Sequence, residues 1–129
     1  MVIENHPLLD DGTPFPTTFW LTCPVLVKRI GELESRGRMA ALTDRLQEDA
    51  PLARRFAAAL QRYRDRRDGH AFIEDSGAPP GGGPERVKCL HAHVAHELAD
   101  PPNPIGAIAL AQTEWPDCRS PCLSLKGGA

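Results

Sequence analysis

The segment "EDSGAPPGGGPE", residues 74–85, cannot form regular secondary structure, so every fold open to this chain must accommodate it as a loop. It divides the apolar periodicity into a longer stretch before it and a shorter one after. Upstream, "TCPVLVKRIGELESRG" sets Leu26, Ile30 and Leu33 at i, i+4 and i+7. Thr22 or Cys23 suits the cap of that helix, Pro24 its first turn and Gly37 its stop. Met39, Leu42 and Leu46 mark one side of a second, short helix. From about Pro51 to Asp68, the residues Leu52, Phe56, Ala59, Leu60 and Tyr63 make a tight apolar stripe, the clearest helix of the chain. Downstream, Pro84 predicts the opening of a helix that runs to about Ala99, ahead of "DPPNP", and "IGAIALAQ" reads as a short apolar helix. Residues 1–22 carry Pro7, Pro14 and Pro16 before "TTFWL", which predicts an irregular or short β-like arm burying Phe19 and Trp20. The expected fold is therefore mainly α. It is a single-domain bundle of about five helices, with an arm at 1–22, a helical core at 23–113 that contains the Gly/Pro loop 74–84, and a cysteine-containing tail at 114–129.

Bulk properties narrow the function classes. A chain of 129 residues can bury one modest core, and 41% apolar with 25% charged residues is ordinary for a globular protein. The net charge of −2 argues against nucleic acid as a partner. No apolar run approaches the ~20 residues that span a bilayer, so no membrane association is expected. The opening "MVIENHPLLDDG" has acids where a secretory leader needs a basic start and an apolar stretch. A cytoplasmic location follows as the expectation. The four cysteines, Cys23, Cys89, Cys118 and Cys122, are then thiols or metal ligands rather than disulfides.

The chemistry concentrates in "VKCLHAHVAHELA", residues 87–99, with one cysteine and three histidines. At 100° per residue, a regular helix puts Val87, Leu90, His91, Val94 and Leu98 on an inward arc. Cys89, His93, His96 and Asp100 fall on the opposite arc, where Cys89 and His93 (i, i+4) or His93 and His96 (i, i+3) can share a metal ion. The spacing is neither that of a zinc finger nor that of the metalloprotease helix, because in "HVAHE" the glutamate follows the second histidine. Cys23, at a helix N-terminus, sits where a thiolate is favoured. "CRSPC" places Cys118 and Cys122 at a spacing that lets both reach one ion. Zinc suits mixed Cys/His ligation, and an iron–sulfur cluster on the four cysteines is the alternative cofactor.

Two other features suggest anion or acidic partners. In "GGGPERVK", Gly81, Gly82 and Gly83 lead towards a helix start with Arg86 and Lys88 nearby, an arrangement suited to a phosphate-bearing ligand. The motif lacks the Lys-Ser/Thr ending of a nucleotide-binding loop, and a plain linker is the competing reading. Six of the twelve arginines lie in the 51–68 helix, with Arg55, Arg62 and Arg66 along one arc. Such a stripe is either a solvated face whose stems cover the core edge or a surface for an acidic protein.

The ordered motifs "DGTPFPTTFWLTCP", "GGG..RVKCLHAHVAHELA" and "NPIG" resemble the bacterial family known as domain of unknown function 501, over residues 10 to 106. The resemblance implies a mainly helical fold and no established reaction. Its motif maps here onto Cys23 before Pro24, Cys89, His91, His96, Asn103 before Pro104, and Gly106. His93 lies outside it. This pattern prefers His91 over His93 as a ligand, which requires the helix to start late, with Cys89 in or just before its first turn. The functional expectation is a small metal-binding protein, a non-enzymatic binding module stabilised by its metal. Its ligands are drawn from Cys23, Cys89, His91, His96, Cys118 and Cys122, with His93 as the alternative. The competing expectation is a metal-dependent hydrolase of a phosphorylated substrate, with Glu97 or a histidine as base.

Overall fold

The computed structural model of the chain describes residues 2–4, 18–70 and 86–116. Among them are two strands, β1 (Val2–Glu4) and β2 (Phe19–Leu21), and five helices. The helices are α1 (Pro24–Ser35), α2 (Arg38–Glu48), α3 (Ala50–His70), α4 (Leu90–Ala99) and α5 (Pro104–Gln112). The fold is mainly α with a short antiparallel ribbon as its N-terminal arm, as expected.

Local chemistry accounts for the helix starts. Cys23 and Asn103 occupy the N-cap positions of α1 and α5 in extended backbone, each followed by a proline whose missing N–H costs nothing there. Ahead of α3, Asp49 Oδ1 accepts from the Leu52 N–H at 3.0 Å. Gly37 joins α1 to α2 with φ +77°, a left-handed conformation that carries little cost only for glycine.

The periodic apolar residues meet in one core. Leu26, Ile30 and Leu33 of α1, Leu42 and Leu46 of α2, and Leu52, Phe56, Leu60 and Tyr63 of α3 are all buried together. Leu90 and Val94 of α4 and Ile105 of α5 complete the cluster. In the ribbon, Val2 pairs with Leu21, Ile3 with Trp20 and Glu4 with Phe19. Side chains alternate along a strand, so Phe19 and Leu21 turn inward while Trp20 remains 49% exposed. The expectation that Trp20 is buried is thus corrected by the strand's period of two. The backbone N–H groups of Thr18 and Phe19 both donate to the Tyr63 hydroxyl, tying the arm to α3.

Two members of the arginine stripe act within the chain. Arg66 holds both carboxylate oxygens of Glu4, at 2.7 and 2.9 Å. Arg62 donates to the carbonyls of Asp100 and Pro102, at 3.0 and 2.6 Å, fixing the α4–α5 connection. Arg55 is exposed.

The tightest joint is between α4 and α5. A Cβ at Gly106 would overlap the backbone carbonyl oxygen of His93 and lie 2.9 Å from Cβ of Glu97. Both α4 obstacles are held by the helix itself, so the helices must separate to admit a side chain. Gly106→Ala is expected to lower stability by about 2–3 kcal/mol through overpacking, read as a reduced midpoint in urea unfolding. A midpoint within error of the parent's would refute the close approach.

Candidate functional site

The histidine helix starts at Leu90, with Cys89 as its N-cap and residues 86–89 non-helical. The start at Pro84 expected from local signals is therefore corrected, and with it the assignment of faces, in favour of the late start that the family resemblance implies. His93 and His96 are 1% and 0% exposed, whereas His91 and Cys89 are only partly buried. The outward arc of Cys89, His93 and His96 does not exist. α4 is covered by α5 and β2 and also touches α1, so Ala92 to His96 are buried in an unbroken run. A short helix packed on several sides keeps only its two ends partly exposed, and Cys89, His93 and His96 do not share a solvated stripe.

The buried histidines serve packing and a polar network. Asn103 Nδ2 lies 3.3 Å from His93 Nδ1 and 3.1 Å from His96 Nδ1. The amide nitrogen can only donate, so both rings accept at Nδ1 and carry their proton on Nε2. Asn103 Oδ1 accepts from the Gly106 N–H at 3.0 Å, and its own N–H donates to Glu97 at 3.1 Å. His93 packs edge-on against Phe56, and His96 stacks on Phe19 and meets Tyr63 edge-on. Glu97, an expected base, is thereby a partner of this backbone turn.

A different set converges at the start of α4. Glu34, in the last turn of α1, directs Oε1 to the Leu90 N–H at 2.9 Å and to His91 Nδ1 at 3.0 Å. A carboxylate there complements the positive end of the helix dipole. The other ring nitrogen of His91 faces the Val27 carbonyl at 3.1 Å. Ligand atoms of Glu34, Cys89 and His91 all lie within 4.8 Å of one another, the only such group of three or more among the described residues. Of the residues expected as ligands, this brings together Cys89 and His91. Cys23 is 3% exposed within the apolar core, and neither it nor His96 or His93 belongs to the cluster. Cys118 and Cys122 lie outside the described residues. Glu34 was not foreseen. It is 55 residues from Cys89 in the chain, and nothing in "GELESRG" distinguishes it from Glu32.

The cluster is strongly polarised. Both nitrogens of His91 face groups that only accept, which favours the imidazolium. Its hydrogen bond with Cys89, then those with Val27 and Glu34, outweigh burial and raise its pKa to about 9. For Cys89, burial opposes the thiolate, but His91 and the Ala92 N–H outweigh it and lower the pKa below its ordinary value. Cys89 and His91 also line a cavity of about 380 Å³, completed by Phe19, Trp20, Leu21, Val27 and Ala92.

The anion expectation stands apart from this cluster. Gly81, Gly82 and Gly83 lie outside the described residues. Arg86 and Lys88 are exposed, lie in the non-helical segment just before the helix, and border a separate cavity with Thr43 and Asp44.

Fold and cluster together define a small helical domain with a Cys/His/Glu group where two helix ends meet. The family model described as protein of unknown function (DUF501) matches residues 1–111, and the chain belongs to that family. Comparisons with curated proteins and with solved structures give no match. Among the described residues, no helix is long and apolar enough to cross a membrane.

The buried network carries a pH dependence. Burial, then the Arg62 charge, lowers the His96 pKa to about 4, from 6.5 in an unfolded chain. Well above pH 6.5 neither state binds this proton, and the His96 ring takes nothing from stability. Between pH 6.5 and 4 the unfolded chain takes up a proton that the native ring refuses, so stability falls as the pH drops. The loss from this one group is about 3 kcal/mol. Urea unfolding at pH 7.0, 5.5 and 4.5 should show this slope, and His96→Gln should flatten it. Parallel slopes in the two proteins would assign the acid sensitivity elsewhere.

Proposed function

We propose that this protein binds one zinc ion through Glu34, Cys89 and His91, as a metal-binding module whose ion faces a small apolar cavity. The observation that carries the reading is the convergence of a carboxylate, a thiol and an imidazole within 4.8 Å. The supporting chemistry is in the second ring nitrogen of His91. A metal-bound histidine characteristically donates its other N–H to a backbone carbonyl or carboxylate, and the Val27 carbonyl is 3.1 Å from Nε2. Nδ1 is then the ligating nitrogen, and the ion takes the place of the proton shared with Glu34. A low-pKa thiol at the N-cap is a ready ligand, since zinc requires the thiolate.

A mixed S, N, O donor set suits zinc. An iron–sulfur cluster is held mainly by thiolates, and Cys89 is the one cysteine in this group, Cys23 being buried in the core and not part of it. Three protein ligands leave one position for water or a ligand, the pattern of sites that bind or transform small molecules. A fourth protein ligand would make a closed structural site. Cys118 and Cys122 are the candidates for that fourth ligand, and their substitution separates the two forms.

Purified protein should carry about one zinc equivalent by elemental analysis and lose it on substitution of Glu34→Gln, Cys89→Ser or His91→Ala. The double substitution Cys118→Ser/Cys122→Ser should leave the zinc in place, and His93→Ala should destabilise the fold while retaining it. Chelation should lower Tm by several degrees. Metal-free protein that stays metal-free after incubation with zinc would refute the proposal. Brown protein from anaerobic preparation would replace zinc with a cluster.

A further inference from the structure

The cavity beside the cluster is shaped for a ligand with one polar end. Its volume, about 380 Å³, falls in the range of small-molecule sites. At roughly 30 Å³ per non-hydrogen atom, the packing of a liquid, it holds about a dozen atoms. Phe19, Leu21, Val27 and Ala92 supply an apolar wall, and Trp20, 49% exposed, stands at the rim. Among the described residues, the polar groups on the lining are the side chains of Cys89 and His91 and the indole N–H of Trp20. Glu34 is not on the lining; its carboxylate is turned to Leu90 and His91. Among the described residues, no acidic, basic or hydroxyl side chain besides Cys89 and His91 stands along the wall to pair a charge or several hydroxyl groups on the body of a ligand, and burying such groups unpaired is unfavourable. A sugar or a nucleotide does not fit this lining.

Charge at the polar end distinguishes the head group. Zinc held by the Cys89 thiolate, the Glu34 carboxylate and a neutral His91 ring would have its two positive charges balanced by those two anionic ligands, and the open position accepts an anionic oxygen or sulfur donor. We infer that the Glu34–Cys89–His91 site, once loaded with zinc, binds a small amphiphile: an unbranched or aromatic apolar body of about eight carbons ending in one metal-coordinating anionic group. The inference rests on the zinc reading and names the ligand class of the same site. The body lies against Phe19, Leu21 and Val27 and covers the exposed ring of Trp20.

Octanohydroxamate and acetohydroxamate share a metal-binding head and differ in the apolar body, so titration calorimetry with both tests the assignment. Zinc-loaded protein should bind octanohydroxamate at least tenfold more tightly than acetohydroxamate. Metal-free protein should bind octanohydroxamate at least tenfold more weakly than the loaded form. Gel filtration after the titration should show zinc still on the protein. Ala92→Leu, which fills the cavity, should weaken octanohydroxamate at least tenfold while leaving zinc content and acetohydroxamate affinity unchanged. Trp20→Ala, at an exposed position that does not support the core, should weaken octanohydroxamate several-fold. Loaded protein that binds neither hydroxamate, or both equally, overturns the inference and leaves the zinc reading standing. Equal binding with and without zinc overturns the role of the metal. Failure to take up zinc overturns both readings together.

Discussion

The side chain of Asn103 holds the second half of this protein together. It is fully buried, and its amide bridges two histidine rings of α4 while its carbonyl caps α5 at Gly106. A buried amide left unpaired would be costly, and here both the amide nitrogen and the amide oxygen of Asn103 find partners across two helices. The match needs α5 close against α4, which Gly106 permits by having no Cβ to collide with the His93 carbonyl. Phe19 and Tyr63 then pack against His96, so the N-terminal ribbon and α3 are positioned by the same network. The neutral rings are integral to it, because a charge on His96 would have to be buried among aromatic side chains.

With α4 placed, its N-terminus is presented to the end of α1. Glu34 accepts from the first backbone N–H of α4 and from His91 with one oxygen, so a helix cap and a side-chain pair share an atom. This sharing is what concentrates charge at the site. The carboxylate is held by the backbone, the imidazole is held between that carboxylate and the Val27 carbonyl, and the thiol at the N-cap lies beside them. In the proposed zinc site the donors would therefore already be oriented, which would reduce the ordering that binding requires.

The motif of the family separates into two tasks in this chain. His96, Asn103 and Gly106 build the joint between α4 and α5, whereas Cys89 and His91 belong to the cluster at the helix start. Cys23, before Pro24, begins α1 within the core. Residue types that suggest metal chemistry in a sequence thus include members whose observed work is packing and hydrogen bonding. Only burial and partner geometry tell them apart.

Much of the fold was legible in the sequence. The stripes at Leu26, Ile30 and Leu33 and at Leu52, Phe56 and Tyr63 determined helices with one buried face, because apolar spacing and local capping act within a few residues. The mainly helical class, the approximate bounds of α1, α2, α3 and α5, and the richness of α4 in donor groups all followed from such local signals. The N-cap at Cys89 followed from the family resemblance and not from local signals, since a start at Pro84 satisfies local rules equally well and differs only in what α4 must pack against. Trp20 faces solvent because the arm pairs as a strand. His93 and His96 turn inward because α4 is enclosed on several sides. Glu34 joins Cys89 and His91 from 55 residues away. Those outcomes depend on long-range packing of α1, α4, α5 and the ribbon, and no local pattern in the chain encodes which acid will meet which helix end.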